Sequence, residues 1–338
     1  MGEMLALGMM GGGILLFFIA VTIALWRVKH VSATVIAIRL AVISLLITLL
    51  MGLLLGSGVL GKMGFGHIAV LVDVHLGWGI LGWVGLLLIG ISYQVVPMFQ
   101  VTPEYPRHLR RLLAPMLFVG LLIWTVLMLG NIAGIVEQWL AQAWMLLLVA
   151  GFVFYSIITL RLQQQRKRRV ADITMLFWRT GMLFVPLCAL IWMAGMLSPA
   201  VALNPHYNLL LGVCLLLGVG VSVINGMLYK IVPFLSWFHL QNRQMSMMCM
   251  TVKVPNMKEF ISDKAARLQF RLFLLTLLLA LAASLYPGVF AYLAGLFFFV
   301  SNTLLLKNLL VAMFRYRTTH RALLAYAASV SADDKGLG

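Results

Sequence analysis

The stretch GWVGLLLIGISYQVVPMF, residues 82–99, returns further along the chain as GVGVSVINGMLYKIVPFL, residues 218–235. Gly82, Gly90, Tyr93, Val96 and Pro97 recur in register as Gly218, Gly226, Tyr229, Val232 and Pro233. A bilayer core of about 30 Å is crossed by roughly 20 apolar residues in a helix, so each stretch reads as part of a membrane span. The glycines mark places where helices approach closely, and the proline ends a helical run. Five shared positions argue for duplication over convergence on small residues. Tyr93 and Tyr229, at the same end of both spans, read as amphipathic interface anchors.

Outward from this pair the chain is of one kind. Of 338 residues, 63% are hydrophobic and 10% charged, against about 45–50% and about 25% in soluble domains. That balance excludes a water-soluble globular protein and a disordered one. Apolar runs between charges and breakers predict nine spans, at 4–26, 34–60, 67–97, 112–135, 139–161, 173–198, 206–237, 268–286 and 288–314. The first lacks a basic leader and a clear cleavage site, and is expected to be retained. The expected fold is an all-α polytopic transmembrane bundle, one integral membrane domain over 1–338. It divides into a leading helix (1–30), repeat one (31–165), repeat two (170–316) and a cytoplasmic tail (317–338). A displacement by an even number of spans makes the repeats parallel.

Charge gives the orientation. Arg27, Lys29, Arg107, Arg110, Arg111, the run Arg166-Lys167-Arg168-Arg169, the segment Arg243 to Arg267, and Arg315, Arg317 and Arg321 fall on one side. Lys62 alone is basic on the other. By the positive-inside rule the basic side is cytoplasmic, with the N-terminus outside, the C-terminus inside, and a bacterial inner membrane as the location. The net charge of +16 then follows from topology and anionic headgroups, without nucleic acid. The expected partners are lipids, a respiratory or redox protein and a second copy of the chain.

Polar groups inside the spans are few. His30, His108, His239 and His320 lie in or beside basic segments and read as interfacial. His67, His75 and His206 fall in the outer halves of spans three and seven, with Asn204-Pro205 as a cap and first-turn proline before His206. His75 lies about 12 Å deeper than His67 at 1.5 Å per residue. Asp73 is the one acid well inside a span, which predicts an interior position with a polar partner. Positions two apart on a helix differ by about 200°, so Asp73 and His75 divide their roles. One faces a cofactor or cavity, and the other a neighbouring helix.

The segment Asp73-Val-His75-Leu-Gly-Trp-Gly-Ile-Leu-Gly82-Trp83, running on to Tyr93-Gln-Val-Val-Pro97-Met-Phe, resembles a helix of bacterial haem-copper-oxidase-like membrane proteins. That group includes subunit-I-like proteins and the NnrS family, whose helices carry a His-x-His or related pattern before a glycine-rich stretch. The resemblance covers residues 73–99. It implies a helical bundle holding haem, and sometimes copper, through histidines inside the membrane. Here the first histidine of the pattern is Asp73, and the Gly-Trp pair stands further from His75. The chain also has no His-His pair and no histidine trio for copper beside a haem, so a binuclear oxygen-reducing centre is not expected.

The expected cofactor is haem b. His75 is the first axial ligand, His206 and then His67 are candidate partners, and Asp73 is adjacent. Depth can be counted back from the paired tyrosines, with His67 furthest from its tyrosine, His206 next and His75 nearest. The depth gap is then about 4–5 Å for His67 with His206 and about 7–8 Å for His75 with His206. Met245, Met247, Met248, Cys249 and Met250, with Met257 beyond, put soft sulfur on a cytoplasmic segment. Such ligands suit Cu(I), though packing beneath the bundle accounts for the same residues. Gly11, Gly12 and Gly13 predict close helix packing. No phosphate loop, nucleophile elbow, zinc-protease motif or CxxC occurs. Two functions follow: a haem protein of electron transfer, diatomic-gas handling or respiratory stress defence, or a non-redox permease or copper-handling or assembly factor.

Overall fold

The computed structural model of the chain describes residues 2–57, 65–167, 172–249 and 251–336. Lys62, Arg168, Arg169 and Met250 lie outside them. The helices are α1 (Gly2–Trp26), α2 (Ala33–Gly56), α3 (Phe65–Gly77), α4 (Leu86–Gln100), α5 (Arg107–Ile132), α6 (Gln138–Gln164), α7 (Ile173–Leu197), α8 (Pro199–Ala202), α9 (Tyr207–Val213), α10 (Ser222–Ser246), α11 (Asp263–Leu285) and α12 (Pro287–Gly336). No strand occurs among the described residues. Among the described residues, nine helical rods are long and apolar enough to cross a bilayer. The chain is an all-α, multi-pass membrane protein.

Local chemistry sets the ends of these rods. Ser32, Asp172 and Ser262 accept the backbone N–H of Val35, Met175 and Ala265, which caps α2, α7 and α11. Arg39 donates to the Leu25 carbonyl at the end of α1, where a cation suits the unpaired carbonyls. Gln100 ends α4 because Val101 turns left-handed, at φ 56°. The stretch after residue 316, read as a tail, continues α12 to Gly336.

The chain divides into two compact units, residues 1–168 and 169–338. In the first, α2 packs against α1, α3, α4 and α5. In the second, α7 packs against α9, α10 and α11, while α11 and α12 form a long hairpin. The core of the second unit gathers Phe177, Tyr229, Phe260, Phe273 and Leu277.

Each unit carries the same distortion at the same place. Between α3 and α4, Trp78–Gly85 is π-helical, and between α9 and α10 so is Cys214–Val221, at the repeat-related position. The glycines around it keep one register. A Cβ on Gly90 would lie 2.7 Å from the Ala37 Cβ, and one on Gly226 would lie 2.8 Å from the Phe177 Cβ. Gly82 meets Ser44, and Gly218 meets Phe184. Ala37 and Ser44 are spaced along α2 as Phe177 and Phe184 are along α7, so the same helix pair is built twice. The tyrosines that read as interface anchors are buried instead. Tyr93 donates to the Leu109 carbonyl, and Tyr229 accepts from Asn308 Nδ2 at 2.9 Å. Each ties its span to a later helix of its own unit.

Candidate functional site

His75 sits on the last turn of α3, just before the first π segment. Its ring lies against Gly52 of α2, where a Cβ would come within 3.0 Å of His75 Cε1. Any larger residue at 52 would push the imidazole away. Beside them a cavity of about 360 Å³ opens between α1 and α2, and His75 forms part of its wall. The remaining wall is aliphatic or glycine, apart from the Met10 thioether and Thr48. The Thr48 hydroxyl donates to the Ser44 carbonyl at 2.8 Å. Gly11 does pack closely, against Leu53, whereas Gly12 and Gly13 have open space where a side chain would be.

His75 Nδ1 is buried with no hydrogen-bond partner among the described residues. Burying a ring nitrogen without a partner is costly, and such a group in a native site calls for an explanation. π-Helical segments often occur beside functional sites because they widen the helix locally. Here the segment turns Trp78 inward, where its Nε1 donates to Thr125 Oγ1 at 2.9 Å and its ring meets Phe118 edge-on. That contact fixes α3 against α5 and holds the turn bearing His75.

The other candidates are placed differently. Asp73 is exposed and has no hydrogen-bond or ion-pair partner among the described residues, which corrects the expectation of an interior acid with a polar partner. It points away from the face that carries His75, as a separation of about 200° requires. His67 is also exposed. His206, half-buried in the second unit, is itself the N-cap of α9, and its backbone N–H donates to Asn204 Oδ1 at 2.9 Å. Asn204 therefore makes a turn before the helix rather than capping it. Among the described residues, no second histidine lines the cavity beside His75, and no cluster of three metal-binding His, Cys, Asp or Glu side chains occurs.

The described residues of the sulfur-rich segment are placed differently from one another. Cys249 is fully buried, with its Sγ 3.6 Å from Thr251 Oγ1, Met247 packs on the core, and Met245 and Met248 are exposed.

Two polar constellations escaped the sequence reading. In the first unit, Gln163 Nε2 donates to Gln100 Oε1 at 2.9 Å, and Tyr105 bonds Thr159 at 2.9 Å. All four are buried, and they tie the end of α4 and the loop after it to α6. In the second unit, His239 and His320, far apart in sequence, meet around Tyr316. Polar residues recurring near the basic end of successive spans were the available signal for both.

The class defined by this fold is a polytopic α-helical membrane protein in which a half-buried histidine, His75, sets an Nδ1 without a partner among the described residues against an apolar cavity. Comparison with known protein families, with characterised proteins and with solved structures finds no match.

Proposed function

We propose that the chain is a haem-binding protein of the bacterial inner membrane, with its N-terminus outside, serving electron transfer or the handling of a diatomic gas. The observation that carries this reading is the His75 Nδ1, buried and unpartnered at an apolar cavity. His75 is the residue that would hold the haem iron, because an imidazole nitrogen with no competing hydrogen bond is a ready iron ligand. Haem, when bound, supplies one-electron and gas-binding chemistry. The chain's own part is to hold and shield. His75 would ligate the iron, the Gly52 gap leaves room for its ring against α2, and the leucines of α1 and α2 would exclude water. Met10 is the other soft donor in the wall. With no second histidine lining the cavity, the geometry favours a site that binds through His75 alone, or with Met10, over a bis-histidine one within this unit.

The test is the absorption spectrum of the full chain purified from haem-replete cells, oxidised and then dithionite-reduced. A Soret band that shifts on reduction is the expected result. A pure, stable preparation without one would overturn the reading in favour of a non-redox permease or assembly factor.

A further inference from the structure

At the basic end of the second unit, α10 and α12 bring together side chains that the haem reading does not use. His239 and Arg243 stand one turn apart on α10, and Tyr316 and His320 one turn apart on α12, so each pair shares a helix face. Tyr316 Oη is 2.8 Å from His239 Nδ1. The Tyr316 and His320 rings stack at 5.7 Å, and the two imidazole centroids are 6.0 Å apart. His320 Nε2 is sealed from solvent with no hydrogen-bond partner among the described residues. Arg243 brings a fixed positive charge one turn from His239 on the same face of α10. None of the three nitrogen side chains takes part in an ion pair among the described residues.

Depth adds an independent constraint. From Tyr207 to His239, and from Pro287 to His320, each rod runs roughly 48–50 Å at 1.5 Å per residue. A bilayer measures about 40–45 Å with its headgroups. With modest helix tilt, the cluster sits in the layer of lipid phosphates. Imidazole nitrogens on the same helix faces as a guanidinium suit a tetrahedral oxyanion, since the planar fork of arginine matches phosphate geometry. A metal cation would instead be repelled by Arg243.

We infer that His239, Arg243 and His320 form a binding site for a phosphate group, carried by an anionic phospholipid or present as free phosphate. Tyr316 holds His239 in place and leaves its Nε2 for the ligand. This site is independent of the haem reading and would stand if that reading failed.

The experiment uses the full-length protein, delipidated in mild detergent and titrated separately with phosphatidylglycerol, phosphatidylcholine and inorganic phosphate. Native mass spectrometry and thermal unfolding report binding, and circular dichroism confirms helicity. The expected result is one phosphatidylglycerol retained per chain. Retention should fall about tenfold in Arg243→Gln and His320→Gln, and change less than twofold in Arg317→Gln, an exposed control on α12. A saturable response to inorganic phosphate alone, lost in the same two variants, would also support the site and name free phosphate as its source. If Arg243→Gln does not fold, His320→Gln and His239→Gln carry the comparison. Equal retention in all folded variants would overturn the site and leave only diffuse surface charge. So would stoichiometric Zn²⁺ or Cu⁺ binding that is lost in His320→Gln with no phosphate response.

Discussion

The two units share a frame and differ in what each end of it carries. Position 75 of the first unit corresponds to Leu211 in the second, and Asp73 to Leu209. Gly52, on which the His75 ring lies, corresponds to Trp192. The first unit thus has a ligand-type side chain beside a gap, where the second has leucine and a large indole. At the other end the inequality reverses. α4 stops at Gln100, but α10 runs on to Ser246 and carries His239 and Arg243 outward. Conserving the π segment and the glycine register keeps the frame, while each unit is elaborated at the opposite end.

Breaking the shared frame should give the largest effect, and the same effect in both units. Gly90→Leu and Gly226→Leu each force a side chain into a helix contact where a Cβ alone would lie 2.7–2.8 Å from its neighbour, at a cost of about 3 kcal/mol. Sharply reduced yield and lower thermal stability in both variants are expected. A large loss in one unit alone would show that the frames are not equivalent.

A smaller effect separates the units at the start of α7. Lys230 Nζ lies 3.4 Å from Asp172 Oδ2, and both side chains are mostly buried. The corresponding positions in the first unit are Gln94 and Ser32, and Ser32 caps α2 as Asp172 caps α7. Lys230→Gln alone leaves the partly exposed carboxylate without this partner and should cost about 1–3 kcal/mol. The double variant Asp172→Ser with Lys230→Gln recreates the first unit's pair and should recover most of that stability. Denaturation in detergent measures both, and equal losses in the single and double variants would contradict the exchange.

The sequence made much of this frame legible because its signals are local and repeated. Nine apolar runs became nine membrane-length rods, and the Gly82–Pro97 pattern marked the register of two helix pairs. The site was harder to read. Cost alone argued that Asp73 faces inward, but periodicity cannot say which face of an apolar helix meets its neighbours, and Asp73 lies outside. The partner of His75 in packing is Gly52, and a glycine in an apolar span gives no sign of what rests on it. Tyr93 and Tyr229 looked like anchors because their distant partners, the Leu109 carbonyl and Asn308, are joined to them only by the tertiary fold. The meeting of His239 with His320 was hidden for the same reason, since α11 and its loops separate the two in the chain.

Filling the gap beside His75 should barely alter stability and yet remove the pigment. Gly52→Leu puts a side chain where a Cβ alone approaches His75 Cε1 to 3.0 Å, and its neighbouring cavity can take the added atoms. Haem content should fall at least fivefold with helicity unchanged, whereas Trp192→Gly should not create a second haem site. Retention of full haem in Gly52→Leu would place the cofactor elsewhere. The smallest effect is expected at Asp73, which points away from the cavity. Asp73→Asn should leave haem content within twofold of the wild type, and a large loss would restore that carboxylate to the site.

Haem per chain, measured by pyridine haemochrome in the wild type, His75→Ala and His30→Ala prepared side by side, tests the central claim most directly. The account predicts close to one haem in the wild type and in His30→Ala, and almost none in His75→Ala with the helices intact. Equal haem in all three, or none in any, would contradict it.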